Sequence, residues 1–502
     1  MRTLAMVIVP LVLAASTAFS ERPAGEDPAT LHARSPKRLV IRNAMVIYGN
    51  RKPAFGPVDV VVDAGVITAV APRAGASGQP ADAVIDATGK YVMPGMVNTH
   101  MHWHEERAPG VPQPIQYERN LYLASGVTTA RELGGNLAKT KRWQRESDDH
   151  TIISPRIVAF TRPSMGKLQT VDDIRQGVRD AKAAGADGLK LMFLDRDQLQ
   201  VVMSEAKAQG LPTTTHIGVE ETTAKDYIEL GVTSIEHFYG VGDAALDGIQ
   251  NFPPDMNYSN EFHRFARAGE LYNQANPDKL RAVVELMARK GVAWSPTLSI
   301  YEASRDAIRA QNLPWLRDYL HPSMELFWRP NLANHGSYFL GWGNTQEVRW
   351  RQNYRIWMDA LRHFGLQGGL ITTGDDAGYI YSLYGFGLVR ELELHEEAGF
   401  HPLEVIAHAT TNGAQLLGLG DRLGKVRVGF TADLLVVNGN PLENLRLLNP
   451  AGTDVVVSGQ LTRGGGVEWT IKDGIPYHGP TLMAEVRQMV EEARRKTGTT
   501  TP

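Results

Sequence analysis

Residues 94–102 read Pro94-Gly95-Met96-Val97-Asn98-Thr99-His100-Met101-His102. A Pro-Gly break followed by a short apolar run predicts a strand over Gly95–Thr99. Side chains two apart on a strand share a face, so His100 and His102 project together from its C-terminal end. Two imidazoles on one rigid edge make half of a divalent-cation site. His104 carries the spacing on into the following loop.

Working outward, seven further short apolar segments follow at Val127–Arg131, Arg156–Phe160, Gly188–Met192, Pro212–His216, Ser234–His237, Ala293–Thr297 and Gly369–Thr373. Helix-like stretches such as Val171–Ala184 and Arg196–Gln209 separate them. Strands alternating with helices indicate parallel βαβ units. Eight such strands predict an α/β fold, a (β/α)8 TIM-type barrel over residues 94–423, with its chemistry at the strands' C-terminal ends.

The flanks have a different texture. Short β-type runs occur at Arg38–Arg42, Met45–Tyr48, Val58–Val62, Val66–Val70, Ala83–Asp86 and Tyr91–Met93, and again at Ala432–Val437, Asp454–Ser458 and Glu468–Lys472. Segments 37–93 and 424–480 are expected to pair into one small β-sandwich. Segment 481–502 is a C-terminal helix and tail, with Met483, Val486, Met489, Val490 and Ala493 at helical spacing. Residues 299–366 break the barrel's rhythm and hold five of the nine Trp. As an insertion after a barrel strand, this segment lies over the mouth. Its aromatics are read either as a small core of their own or as a lid that walls the substrate.

Composition narrows the function classes. A net charge of -3 with 21% charged residues offers no basic face for nucleic acid. Arg2, the apolar run Leu4–Ala15 and the small residues to Ser20 have the order of a signal peptide over 1–20, followed by a flexible lead-in over 21–36. A periplasmic or secreted protein is therefore expected, with no membrane partner after cleavage. With no cysteine in the chain, metal ligands must be His, carboxylate or something less common. The expected partner is a small-molecule substrate, and a homo-oligomer is compatible with the sequence.

Further donors close later strands: His216 ends Pro212–His216, His237 ends Ser234–His237, and Asp375 and Asp376 follow Thr372-Thr373-Gly374. Singly, each is more often structural than a ligand; several strand ends carrying N and O donors form a rarer set, and a barrel gathers strand ends. Lys190 sits in the apolar strand Gly188–Met192. Desolvation and nearby positive charge would leave it a nucleophilic amine that can take up carbon dioxide as a carbamate. The alternative is an ordinary ion pair with Asp187.

These motifs together resemble the amidohydrolase superfamily, in its branch of imidazolonepropionase-like hydrolases and Xaa-Pro dipeptidases (prolidases). The resemblance rests on HxH after PGMVN, DGLKLMF, the two strand-end histidines, GDDAG, Gly126–Gly135, His408–Gly418 and Gly424–Val437. It covers about residues 38–475, with 240–290 and 299–366 matching poorly. It implies two divalent metal ions, with Zn2+ the best fit to the donor set. His100, His102 and Asp376 would hold one ion and His216 and His237 the other, with carbamylated Lys190 bridging them. Asp376 would also be the catalytic proton acceptor. The family usually reads GTD where this chain has Gly374-Asp375-Asp376, which leaves either aspartate as ligand, Asp376 being preferred. Tyr239 is a candidate carbonyl polariser, and Arg131 is either an anchor for a substrate carboxylate or a partner of Glu132 or another carboxylate. The implied activity is hydrolysis of an amide or peptide C–N bond in a dipeptide or N-acyl amino acid. The alternatives are opening of a cyclic amide, imide or lactone, deamination of a ring, and a non-catalytic barrel that only binds.

Overall fold

A computed structural model describes residues 27–499 apart from 75–79, 164–169, 219–220, 250–253, 256, 258–259, 261–262, 264, 266–270 and 332–336. The expected signal peptide lies outside the described residues. Seven strands form one parallel sheet: β1 (Met96–Met101), β2 (Val127–Leu133), β3 (Arg156–Thr161), β4 (Gly188–Met192), β5 (Thr213–His216), β6 (Ser234–Glu236) and β7 (Ala293–Ser295), each beside the next. The expected eighth strand, Gly369–Thr373, shrinks to a single parallel bridge between Ile371 and Trp294. Glycines at 368, 369 and 374 bracket it too tightly for a longer ladder. It still closes the ring. Trp294 N donates to Leu370 O at 2.9 Å on one side, and Thr99 N donates to Thr373 O at 2.9 Å on the other.

The helices expected between strands are present as Val171–Ala183 and Arg196–Ala208, each opening on a capping box, from Thr170 and Asp195. The barrel interior is polar. Thr99 Oγ1 meets Ser295 Oγ at 2.9 Å and Thr372 Oγ1 at 3.0 Å, and Ser234, Thr214, Arg131 and Glu236 are buried in the same hydrogen-bonded column. Such a column is stable only because its members satisfy one another.

The N- and C-terminal β regions share one eight-stranded sheet. Its order is Ile475–His478, Val467–Lys472, Leu434–Val437, Tyr91–Pro94, Arg38–Val46, Phe55–Asp63 and Val66–Ala71, with Ala83–Asp86 alongside Arg38–Val46. The sheet rolls back on itself, Ile67 N donating to Phe430 O and Ala432 N to Gly65 O. Leu39, Ile41, Val60, Leu434, Val436 and Trp469 fill the enclosed space. The expected strand Asp454–Ser458 does not join it. Thr453–Val457 pairs instead with Gln460–Gly464 in a separate hairpin, where Val456 and Leu461 are exposed. β-branched spacing reveals a strand, but its partner is set elsewhere in the chain.

The insertion divides between a buried aromatic cluster and a segment near the barrel mouth. In the helix Asn344–Leu366, Trp350 and Trp357 are buried against Phe238 and Tyr301, and Tyr354 packs between the two Trp rings. The short helix Pro322–Phe327 instead reaches the barrel mouth, where Phe327 packs on Tyr379. The C-terminal helix Gly479–Thr497 buries Leu482, Met483, Val486 and Val490 and bonds through Glu485 to Asn120 at 2.7 Å. Among the described residues, no helix is long and apolar enough to cross a membrane.

Candidate metal centre

His100, His102 and Asp376 each offer a ligand atom, and these atoms all lie within 4.8 Å of one another. His100 and His102 arrive on the end of β1. Asp376 arrives on the turn after the closing segment, where its N donates to His100 O at 2.9 Å. Gly374 permits this approach: a Cβ there would stand 2.5 Å from His100 Cβ. Asp376 itself has a left-handed φ of 44°, unfavourable for a side-chain-bearing residue and typical of functional turns.

Three imidazole Nε2 atoms face the Asp376 carboxylate. Those of His100 and His102 lie 3.6 and 3.4 Å from Oδ1, and that of His237 lies 3.9 Å from Oδ2. Two of the three rings are oriented from behind. His100 Nδ1 meets Glu236 Oε2 at 2.7 Å, and His237 Nδ1 meets Thr297 Oγ1 at 2.6 Å. A donor on Nδ1 leaves the Nε2 lone pair free to ligate. Burial, reinforced for His100 by Lys190 and His102 and for His237 by His100 and Lys190, holds both rings well below the usual histidine range. They are therefore neutral, as ligands must be. The His216 ring completes the row, its centroid 4.5 Å from that of His237.

Lys190 is only 2% exposed, and its Nζ has no hydrogen-bond partner among the described residues. Asp187, its expected alternative partner, accepts instead from Lys141 at 3.2 Å, Gln144 at 2.9 Å and Ala159 N at 2.8 Å. Burial draws the Lys190 amine down to about 8, the nearby Glu236 and Asp376 opposing and the Arg131 and Arg162 guanidinia assisting. An orphaned amine close to the His100 and His237 imidazoles, with carboxylates beside it, fits a divalent-cation site far better than a packed core.

Asp375 points elsewhere. Its carboxylate accepts from Asn98 Nδ2 at 2.7 Å, Tyr122 OH at 3.3 Å and Gly385 N at 3.1 Å, inside the wall. Arg131 requires a correction. Its side chain is 1% exposed and committed to Thr99 O at 2.5 Å, Ser234 Oγ at 3.2 Å and Glu236 Oε1 at 2.7 Å, so it anchors no substrate carboxylate. Tyr239 stacks on the His216 ring, centroids 5.2 Å apart.

Two residues escaped the sequence reading. Glu236 is fully buried and bonds both Arg131 and His100; a carboxylate inside a barrel strand was its only signal. Removing its charge leaves a buried guanidinium unpaired, which costs about 3–5 kcal/mol. Glu236→Gln is therefore expected to lower the thermal midpoint by several degrees, measured in chelator so that metal does not mask it. An unchanged midpoint would show that Arg131 finds another counter-charge. The second residue is Arg107. Its guanidinium lies between the rings of Phe327 and Tyr379, 4.0 and 4.2 Å from their centroids, and Nε and Nη2 have no hydrogen-bond partner among the described residues. Ser323 Oγ fixes the backbone there, accepting from Arg107 N at 2.9 Å and Ala108 N at 3.0 Å. Tyr379 in turn stands 6.5 Å from the His102 ring.

Residues 351–462 match the model of the amidohydrolase family. The imidazolonepropionase of Pseudomonas putida strain F1 is 25% identical over 401 residues, 77% of this chain and 88% of that protein. An adenine deaminase of Ruegeria sp. strain TM1040 is 34% identical over 100 residues, 20% of this chain. The chain spans only 16% of that deaminase's length. In structure, a Xaa-Pro dipeptidase with methionine bound in its active site superposes with a TM-score of 0.62 at 20% identity, over 88% of this chain and 100% of that one. That likeness establishes a shared fold.

Proposed function

We propose, taking membership of the amidohydrolase superfamily as the premise, that this chain hydrolyses an amide or peptide C–N bond in a small substrate bearing a free carboxylate. The observation that carries the proposal is the convergence of His100, His102, His237 and Asp376 on one point beside an unpaired, buried Lys190. His100, His102 and Asp376 would hold one divalent cation and His216 and His237 a second. Lys190 would join them once its amine has added to carbon dioxide, forming an N–C bond and releasing a proton. Bound cations would supply Lewis acidity and lower the pKa of water from ~15.7 towards ~7. Neutral imidazoles and a carboxylate suit Zn2+.

The chain's own residues do the rest. Asp376 is placed to accept a proton from the attacking water on its carboxylate and return it to the leaving nitrogen. Tyr239, stacked beside His216, is the neighbouring hydroxyl for the scissile carbonyl. Arg107 takes over the anchoring role expected of Arg131. With both guanidinium faces covered by rings, only its edge could meet a carboxylate. Nε and Nη2 on that edge are buried without a partner among the described residues, and a carboxylate in the guanidinium plane would satisfy them.

The second reading, deamination or opening of a ring, is favoured by the likeness to an adenine deaminase and an imidazolonepropionase. It fits the mouth less well, because Arg107 already fills the space between Phe327 and Tyr379 where a flat ring would stack. Xaa-Pro dipeptides, N-acyl amino acids, their C-terminal amides, cyclic imides and purines, assayed with Zn2+ and bicarbonate, separate the two. Turnover is expected for the free-carboxylate substrates, with Arg107→Met raising their KM about ten- to a hundredfold. Turnover of ring substrates alone would overturn the first reading.

A further inference from the structure

His237 lies one residue beyond β6 and has a left-handed φ of 63°. Strand geometry therefore does not aim its ring. Two contacts do: Trp294 Nε1 donates to His237 O at 2.6 Å, and Thr297 Oγ1 meets His237 Nδ1 at 2.6 Å. Thr297 is itself left-handed, with φ 48°, and opens the 3-10 helix Leu298–Ser304. The amides at that helix start, Leu298 N and Ser299 N, which have no partner within the helix, donate at 2.9 and 2.7 Å to the two oxygens of one carboxylate, Glu391. Glu391 comes from the helix Phe386–Glu397, is 0% exposed, and also meets His395 Nε2 at 3.3 Å. Tyr354 OH of the insertion donates to Leu298 O, gripping the same turn from the opposite side. Tyr301 in that helix sets its ring edge-on against His237, centroids 5.6 Å apart.

We infer that Glu391 is a positioning residue for the metal centre: by fixing the 297–299 turn it holds Thr297 against His237 Nδ1 and so aims His237 Nε2. A carboxylate spanning two consecutive amides fixes both backbone units at once, which a single hydrogen bond cannot do. Without it, the left-handed Thr297 turn loses one of its two grips, the other being Tyr354 OH on Leu298 O. The inference rests on the proposed two-cation site, and it makes the His216–His237 half of that site depend on a residue remote from any ligand.

The test is Zn2+ binding by titration calorimetry and metal analysis on the full chain. Wild type is expected to take two Zn2+. Glu391→Gln and Thr297→Val are each expected to weaken the second Zn2+ about 10–100-fold, the range for partners that orient metal ligands, and to spare the first. The double variant distinguishes positioning from general stability. If Glu391 acts through Thr297, the double variant is no weaker than the more severe single one. Multiplying effects, or a Glu391→Gln or Thr297→Val protein that binds both Zn2+ like wild type, would overturn the inference. Thr297→Val swaps the hydroxyl for a methyl and tests the Thr297–His237 link. If Glu391→Gln does not fold, Glu391→Asp, which keeps the charge but shortens the reach, is expected to weaken the second Zn2+ likewise, and wild-type binding by it would overturn the inference. Wild type binding no second Zn2+ would instead defeat the two-cation reading on which the inference stands.

Discussion

Lys190→Ala is expected to lose essentially all turnover, on the order of a thousandfold or more in kcat, and to regain part of it in millimolar-range formate, acetate or propionate. The buried Nζ has no partner among the described residues, yet Glu236 and Asp376 are near enough to act on it. Leaving an amine in that state is costly unless something absent from the polypeptide occupies it. A carbamate would present two oxygens where a carboxylate in the alanine cavity could also present two. The depressed lysine gives the reaction a pH signature. At fixed carbon dioxide, reactivation of decarboxylated apoprotein should rise as pH climbs through about 8, because only the neutral amine adds. A native mass without the added carbon dioxide, together with no rescue by carboxylates, would remove Lys190 from the centre and leave it a buried amine without explanation.

The sequence discloses the centre wherever direction follows from local periodicity. His100 lies on β1 and His102 one residue past its end, and their spacing of two still brings both rings to Asp376. Lys190 on β4 and His216 at the end of β5 follow the same logic. The pattern fails where the backbone leaves the strand. Glu236 points inward at the end of β6, and alternation would turn His237 away; a left-handed φ turns it back. Asp375 and Asp376 diverge for the same reason, one into the wall and one into the mouth. Local periodicity in Gly374-Asp375-Asp376 does not reveal that, and only the resemblance favoured Asp376, because the turn is shaped by contact with His100, far earlier in the chain.

Arg131 shows a different limit. A strand-end arginine can be recognised as charged, but its partner Glu236 lies 105 positions away and becomes a neighbour only when the barrel closes. Closure spends the guanidinium on the interior column, which is why the proposed carboxylate anchor is sought instead at Arg107. The aromatic insertion behaves in the same way. Composition announced a cluster, but only packing separates Trp350 and Trp357, which support the wall, from Phe327, which braces Arg107.

Asp376→Asn is expected to reduce kcat about 10²–10⁴-fold with little change in KM, while most of the metal stays bound. The argument is geometric. One carboxylate faces Nε2 atoms of three imidazoles at 3.4–3.9 Å, so it is placed both to ligate and to face a reacting water. An amide of the same size keeps an oxygen for ligation but cannot hold a proton between attack and departure of the amine. The matching change at the neighbouring position should behave differently. Asp375 accepts from Asn98, Tyr122 and Gly385, and an amide there would turn an NH2 towards one of these donors. Asp375→Asn should therefore lower the thermal midpoint, whereas Asp376→Asn should lower the rate at a nearly unchanged midpoint. Near wild-type turnover in Asp376→Asn would move the proton-accepting role to another group at the mouth, and the histidine cluster would then have to be explained by binding alone.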